Sequence, residues 1–325
     1  MIPRTDIALH NHSWQWHLQH AVRNTNELAK VLELDIASVN SDFPVLVPLP
    51  YLHRIEKGNP NDPLLLQVLV QPEENQVVPG FTKDPVQEVA HRGIIHKYRG
   101  RVLIVTAGTC AINCRYCFRR HFPYSEFQLS RDDWQNVFAY IESDPSIREV
   151  ILSGGDPLIM PDRQLRELVN QLSELPQLTH LRIHTRLPVV VPQRVDKELI
   201  SWIANTRFQV VVVIHSNHAN ELDDEVGTAM ARLRENDVTL LNQSVLLEGV
   251  NNHSDTLCSL SWRLSELGVL PYYLHLLDKV AGAAHFDVPI GDAKHLIRQM
   301  KDQMPGYLVP KLVKEIPGEP AKHEL

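Results

Sequence analysis

From residue 100 onward, short runs of apolar and β-branched residues alternate with longer segments whose apolar positions recur every three or four residues. The short runs are typical of strands buried on both faces, and the longer segments have the period of amphipathic helices. The predicted strands cover residues 102–105, 150–152, 181–184, 210–214, 239–241 and 272–276, with a weaker one near 307–309. This alternation predicts a parallel sheet covered by helices.

The segments between the strands predict which helix faces are buried. Ser130 is predicted to cap a helix whose apolar face carries Trp134, Val137, Phe138 and Ile141. Further stripes are Leu165, Leu168, Val169, Leu172 and Leu175; Val226, Met230 and Leu233; and Leu257, Leu260, Leu264 and Leu267. About six such strand–helix units favour an α/β barrel or partial barrel, with catalytic groups at the carboxyl ends of the strands.

The first hundred residues follow a different pattern. An apolar stripe predicts a helix over 14–34, and a second short helix is predicted to begin within 32–39. Prolines recur between 43 and 80 and exclude a long helix there. We therefore predict a mainly helical and irregular N-terminal extension (1–95), a barrel (96–305) and a C-terminal segment (306–325).

Composition is that of an ordinary globular protein, with 43% hydrophobic and 22% charged residues among 325. A net charge of −7 and the lack of a basic run argue against nucleic acid as a partner, and no apolar stretch suggests a membrane. The N-terminus, with Asp6, His10 and His12, lacks the apolar segment of a signal peptide. With three of four cysteines in one motif, the sequence predicts a reducing compartment, the cytoplasm.

The candidate chemistry is concentrated after the first barrel strand, where Cys110, Cys114 and Cys117 have the spacing C-x3-C-x2-C. Thiolates are soft ligands suited to iron–sulfur clusters, and a cubane normally takes four of them. Three thiolates leave one iron open for another ligand. A zinc site completed by His121 or Cys258 is an alternative, although zinc sites favour C-x2-C pairs. A disulfide scaffold is disfavoured, because a chain of this length buries its own core.

Tyr116, directly before the last cysteine, gives the stretch the form C-x3-C-x-aromatic-C. This resembles the signature of the radical S-adenosylmethionine (SAM) enzymes, in which SAM chelates the open iron of a [4Fe-4S] cluster. Residues 101–106, 118–121, 153–156, 185–192, 242–250, 271–273 and Asp278 resemble the lysine 2,3-aminomutase family of these enzymes. The resemblance runs from about Trp14 to Lys322 and implies a radical SAM partial (β/α)6-type barrel. Length and the ending at 317–322 are most similar to the bacterial branch that supplies (R)-β-lysine for elongation factor P.

The resemblance assigns a group of residues to SAM. Two successive glycines after the second barrel strand allow close approach of a ligand, and exposed N–H groups there can bind a carboxylate. The residues implied at SAM are Tyr116, Ser153, Gly154, Gly155, Asp156, His215 and Gln243. Taken without the resemblance, the glycine pair is equally typical of a turn, and His215 of a strand-end histidine bonded to backbone.

The resemblance also implies pyridoxal phosphate (PLP) as a cofactor. Lys322 stands at the position of the family's PLP lysine, although a lysine so near the C-terminus would otherwise be interpreted as part of a solvated tail. Arg101 corresponds to the arginine at the PLP phosphate, where its forked donors match phosphate oxygens.

Three residues are implied at the substrate. Arg119 corresponds to the arginine that pairs with the substrate carboxylate, and its neighbour Arg120 is an alternative. Asp278 and Glu315 correspond to the carboxylates that receive the side-chain ammonium of lysine. Opposite charges about 4 Å apart are worth roughly 4 kcal/mol at an intermediate dielectric, enough to select lysine. Glu315 stands where the lysine-fermenting members carry aspartate, so its extra methylene alters the pocket.

The activity implied is the conversion of L-α-lysine to (R)-β-lysine. A 5′-deoxyadenosyl radical from SAM takes hydrogen from the β-carbon of PLP-bound lysine, the nitrogen moves to that carbon, and hydrogen returns to the α-carbon. A reducing electron donor is required, and a functional link to elongation factor P and its lysyl ligase is implied, while a homo-oligomer is left open. The alternatives are the same chemistry on glutamate or arginine, a PLP-free radical SAM enzyme that modifies a protein, and a non-enzymatic cluster or zinc protein.

Overall fold

A computed structural model describes residues 12–36, 39, 41–86, 93–122, 131–319 and 321–325. It contains one sheet whose nine strands follow one another in chain order. The strands are β1 (Ile94–Tyr98), β2 (Arg101–Ala107), β3 (Glu149–Gly154), β4 (His180–Thr185), β5 (Gln209–His215), β6 (Thr239–Val245), β7 (Leu270–His275), β8 (Lys311–Lys314) and β9 (His323–Glu324).

Seven strands, β2 to β8, pair in parallel, and antiparallel β1 and β9 lie at the two edges. No pairing within the described residues joins β1 to β9, so the sheet is an open, partial barrel. The predicted α/β partial barrel is confirmed. Between consecutive parallel strands lie helices α5 (Arg131–Ser143), α6 (Asp162–Ser173), α7 (Leu187–Val190), α8 (Lys197–Ala204), α9 (Asp224–Arg234), α10 (Ser254–Glu266) and α11 (Ile290–Gln303).

The last parallel strand differs from its prediction. Residues Gly306–Leu308 form a 3-10 turn, and the strand begins at Lys311. Pro310 directly precedes the strand, and a proline lacks the N–H that an internal ladder position requires. The expected strand near 307–309 was therefore wrong by a few positions.

The predicted helix faces are confirmed where they are described. Leu165, Leu168, Val169 and Leu172 of α6, Val226, Met230 and Leu233 of α9, and Leu257, Leu260 and Leu264 of α10 are buried. In α5, Val137 and Ile141 are buried, while the predicted cap Ser130 lies outside the described residues.

The N-terminal extension contains two helices where one was predicted, α1 (Trp14–Gln19) and α2 (Thr25–Leu32). Between them Val22 pairs with Val47, and Asn24 then caps α2 by accepting a hydrogen bond from the N–H of Glu27. The second short helix expected from residue 32 does not form over 33–36. Two further short helices, α3 (Leu49–Leu52) and α4 (Pro63–Leu66), separate irregular segments.

The extension and the barrel share one buried core. Trp14, Leu28 and Tyr51 of the extension belong to the same apolar cluster as Val102 and Leu152 of the sheet. The predicted division at residue 95 runs through β1, and the three-part division stays a prediction. None of the helices described here has the length and apolar character needed to cross a membrane.

Candidate active site

The three cysteines lie in the loop that follows β2, and each is half-buried. Burial, with Cys117 nearby, raises the pKa of the Cys110 thiol. Burial, with Cys114 nearby, raises the pKa of Cys117 to about 11. The three thiols thus lie on one short loop that follows β2.

This arrangement suits a cubane, because a cubane binds each thiolate at a different iron. In the described part of the chain, no three His, Cys, Asp or Glu side chains converge as ligands of a single metal ion would. His121 lies 3.1 Å from the carbonyl oxygen of Ala281, and buried Cys258 has its sulfur 3.8 Å from Gln303 Oε1. The two residues considered for completing a zinc site therefore contact other parts of the protein.

The segment 153–156, which includes the end of β3, packs directly on the start of the cysteine loop. A Cβ on Gly155 would lie 2.1 Å from the carbonyl oxygen of Thr109, and one on Gly154 would lie 2.7 Å from that of Ala107. The N–H of Gly155 donates to Ala107 at 2.7 Å, and the N–H of Asp156 donates to Thr109 at 2.8 Å. The glycines thus bring two protein loops together. These two N–H groups, expected to be exposed to a ligand, are used within the protein.

Asp156 joins the ends of β3 and β4. Its buried carboxylate accepts hydrogen bonds from the Thr185 hydroxyl at 2.7 Å and from three backbone N–H groups, those of Leu158, Arg186 and Leu187. Burial raises the pKa of Asp156 against the opposing effect of these bonds. The four bonds fix the loop that faces the cysteines, and a contact of Asp156 with SAM stays a prediction.

A buried ion cluster ties the extension to the cysteine loop. Arg115, which is fully buried, contacts Glu74 of the extension at 2.5 Å, and Arg120 contacts the same carboxylate at 2.6 Å. Both guanidinium groups lie 4.9 Å from the ring centre of Phe43. The loop between Cys114 and Cys117 is therefore held from the N-terminal side, which the sequence did not reveal.

The structure distinguishes the two neighbouring arginines. Arg120 donates hydrogen bonds to the Glu74 carboxylate and to the carbonyl oxygens of Arg115 and Gly282. Arg119 instead lies 3.4 Å from Ser153 Oγ and 3.3 Å from the Gly154 carbonyl oxygen, between the cysteine loop and the glycine loop. Of the two, Arg119 therefore lies at the strand ends.

The residues predicted at SAM from β5 and β6 lie beside Tyr116. Its hydroxyl is hydrogen-bonded to His215 Nε2 at 2.7 Å, at the end of β5. Burial and the charge of Arg186 lower the pKa of His215 to about 3, so the imidazole is neutral. Gln243 lies opposite His215 in the register between the two strands. The structure thus places His215 in contact with Tyr116 and next to Gln243 in the sheet.

The sequence analysis assigned no role to Arg186, but this residue contacts both Cys114 and Tyr116. Its Nη1 lies 2.6 Å from Cys114 Sγ and 2.7 Å from the Tyr116 hydroxyl. Its Nη2 donates to Gln67 at 2.7 Å and to Glu221 at 2.8 Å. The one available signal was its position directly after β4, within the stretch 185–192.

A second polar group surrounds Lys322, near the C-terminus. Lys322 Nζ donates to Glu315 Oε2 at 2.6 Å, and Lys97 Nζ contacts the other oxygen of the same carboxylate. The hydroxyl of Tyr98 lies 3.3 Å from Glu315, and Arg101 stacks over the Tyr98 ring at 4.1 Å. Lys322 is therefore a half-buried, ion-paired residue rather than part of a solvated tail.

Asp278 lies in the loop after β7, and Glu315 follows β8 directly. Because β7 and β8 are parallel neighbours, both carboxylates leave the sheet at adjacent carboxyl ends. Their joint role at the substrate ammonium stays a prediction.

The charge of Lys322 acts on two histidines that the sequence analysis did not single out. Burial, together with Arg182 and Lys322, lowers the pKa of His184 to about 3. Burial and the charge of Lys322 lower the pKa of His275 well below its usual value, and His184 and His215 contribute to that shift. These effects connect Lys322 electrostatically with strands β4, β5 and β7.

Comparisons with known proteins agree with this geometry. The sequence model of the radical SAM superfamily matches residues 104–257. The chain is 46% identical over 322 residues to the L-lysine 2,3-aminomutase of Escherichia coli K12, covering 96% of this chain and 94% of that protein. It is 45% identical over 331 residues to that of Haemophilus influenzae, covering 99% and 98% respectively. It is 31% identical to that of Clostridium subterminale, covering 94% of this chain and 76% of that protein. The chain therefore belongs to the L-lysine 2,3-aminomutase family of radical SAM enzymes.

Proposed function

We propose that the chain is a PLP-dependent L-lysine 2,3-aminomutase that converts L-α-lysine to (R)-β-lysine. The observation that carries the proposal is the 46% identity to the E. coli L-lysine 2,3-aminomutase, which extends over 96% of this chain rather than over the SAM-binding barrel alone. A [4Fe-4S] cluster and SAM are the cofactors of the radical SAM family, and the three close thiols of the cysteine loop fit that cluster.

When bound, the cluster and SAM supply a 5′-deoxyadenosyl radical, and PLP supplies a π system that keeps the amino nitrogen attached while it moves. The chain would hold the cluster with Cys110, Cys114 and Cys117. Tyr116 is hydrogen-bonded to His215, and Gln243 is the register neighbour of His215 in the sheet, which supports their assignment to SAM. Ser153, Gly154, Gly155 and Asp156 support this region by fixing the cysteine loop.

The residues around Lys322 fit PLP. The Lys322 amine is half-buried beside Glu315, where a covalently held cofactor would be shielded from solvent. Arg101, at the start of β2, offers a guanidinium suited to a phosphate group.

The contacts of Glu315 support lysine as the substrate. Its carboxylate already binds the ammonium groups of Lys97 and Lys322, which are chemically the same as the side-chain ammonium of free lysine. A glutamate side chain would be repelled from this position. Arg119 has the forked geometry that suits an α-carboxylate, and Asp278 is the second carboxylate proposed for the ammonium.

The link to elongation factor P and its lysyl ligase and the cytoplasmic location are proposed on the sequence arguments alone, and a homo-oligomer stays an open alternative. The electron donor is proposed only as a reductant of low potential. None of these proposals changes the result expected from the activity assay described next.

The test is an anaerobic assay of the reconstituted protein with SAM, PLP, dithionite and a panel of amino acids. We expect β-lysine from lysine, and no product from glutamate or arginine. Lys322→Ala should lose the visible absorbance of bound PLP and the rearrangement, while iron and sulfide contents match the wild type. Rearrangement by Lys322→Ala at the wild-type rate would overturn the PLP assignment, and a preference for glutamate or arginine would overturn lysine as substrate.

A further inference from the structure

Arg186 forms a buried ion pair with Glu221 and also contacts one of the three cysteines of the motif. Its guanidinium is buried, and one nitrogen, Nη1, lies 2.6 Å from the sulfur of Cys114. We infer that Arg186 sets the reduction potential of the cluster by donating a hydrogen bond to the Cys114 sulfur. Arg186 acts through Cys114 and is thus a positioning residue, not a catalytic one.

The physical reason is the charge of the cluster. One electron from a reductant makes a [4Fe-4S] cluster and its thiolates more negative, without forming or breaking a covalent bond. Hydrogen bonds to ligand sulfurs, and nearby positive charge, stabilise that reduced state and raise the potential. The effect is strong at a buried site, where water screens charges little.

The position of Arg186 is fixed by its ion pair with Glu221. Glu221 is fully buried, accepts from Nη2 of Arg186 at 2.8 Å, and is itself held by the N–H groups of Asn217 and His218 at 2.8 and 3.0 Å. The negative charge of Glu221 partly cancels the field of Arg186 at Cys114. Removing Arg186 and removing the charge of Glu221 should therefore shift the potential in opposite directions.

The experiment compares Arg186→Gln and Glu221→Gln after anaerobic reconstitution without SAM. The readouts are the midpoint potential from a titration followed by electron paramagnetic resonance, the iron content and the thermal unfolding curve. Arg194 supplies the matched control, because it is fully buried and ion-paired with Asp162 at 2.8 Å, yet its described contacts do not include the cysteine loop. Arg194→Gln shows how far the loss of a buried arginine elsewhere changes the potential, the iron content and the thermal stability.

We expect a more negative potential in Arg186→Gln, a less negative one in Glu221→Gln, and the wild-type potential in Arg194→Gln. A wild-type potential in Arg186→Gln, or shifts of the same sign in the two test variants, would overturn the inference. If Arg186→Gln folds but holds no iron, the potential is measured in Arg186→Lys instead. That variant keeps the positive charge and loses the forked geometry of the guanidinium. A loaded Arg186→Lys with a shifted potential supports the inference; failure to load iron would show that the guanidinium is needed for assembly and not for tuning.

Discussion

Lys322 Nζ and Glu315 Oε2 lie 2.6 Å apart in a half-buried ion pair, seven positions apart along the chain. Burial opposes the charge of Glu315, but the ammonium groups of Lys322 and Lys97 outweigh it and lower the pKa of this carboxyl. If Lys322 holds PLP as proposed, this pair must open, and Glu315 would then lose one of its two ammonium partners.

Glu315→Gln should therefore raise the KM for lysine about 30-fold, equivalent to about 2 kcal/mol, because one charge of a buried pair is lost. Glu315→Asp should have a mild effect. Steady-state kinetics under anaerobic conditions measure both. Glu324→Gln is the control, since Glu324 is an exposed acid of the same segment that pairs with Lys311. An unchanged KM in Glu315→Gln would exclude Glu315 from the ammonium site.

Alanine in place of Cys110, Cys114 or Cys117 should abolish the visible absorbance of the cluster and all turnover, because three thiolates are the minimum that leaves one iron open. Iron and sulfide analysis after reconstitution tests this. Cys258→Ala should load a normal cluster, since Cys258 packs in the apolar core between α10 and α11. Normal iron in any of the first three variants, or loss of iron from the fourth, would contradict this ligand set.

Gly155→Ala should destabilise the protein by about 3 kcal/mol, because the added methyl group would lie 2.1 Å from the backbone oxygen of Thr109. Chemical unfolding of the metal-free protein measures this, and the iron content should fall as the cysteine loop shifts. Gly306→Ala is the matched control, with no atom within 4 Å of the new methyl group. Equal stability of the two variants would mean that the glycine loop does not support the cysteine loop.

The neutral His184 should make the fold sensitive to acid. Its folded-state pKa is about 3, whereas an unfolded histidine titrates near pH 6.5, so below that value the unfolded chain binds more protons. Stability should be fully present above about pH 6.5 and decrease as the pH falls toward 3, by less than about 1.4 kcal/mol per pH unit for this group. Urea unfolding at pH 7.5 and 5.5 tests this. His184→Gln should reduce the difference between the two, and an equal difference would show that other groups carry the acid sensitivity.

The sequence predicted those parts of the molecule that depend on local pattern. The strands and apolar helix faces follow from periodicity, and the radical SAM family follows from a cysteine spacing within eight residues. The interruption between α1 and α2 was missed because it depends on pairing of Val22 with Val47. Arg186 was missed for the same reason: its partners Cys114 and Gln67 are 72 and 119 positions away. Such contacts exist only after the chain has folded.

The link from Glu74 to Arg115 and Arg120 has a consequence for protein engineering. A barrel excised at β1, or transplanted between family members without its own extension, would leave two buried guanidinium groups without their shared carboxylate. The segment that carries the cysteines would then lose its ion pairs with Glu74, even though no cysteine had been altered. A functional chimera should therefore take residues 41–86 and 108–122 from the same family member.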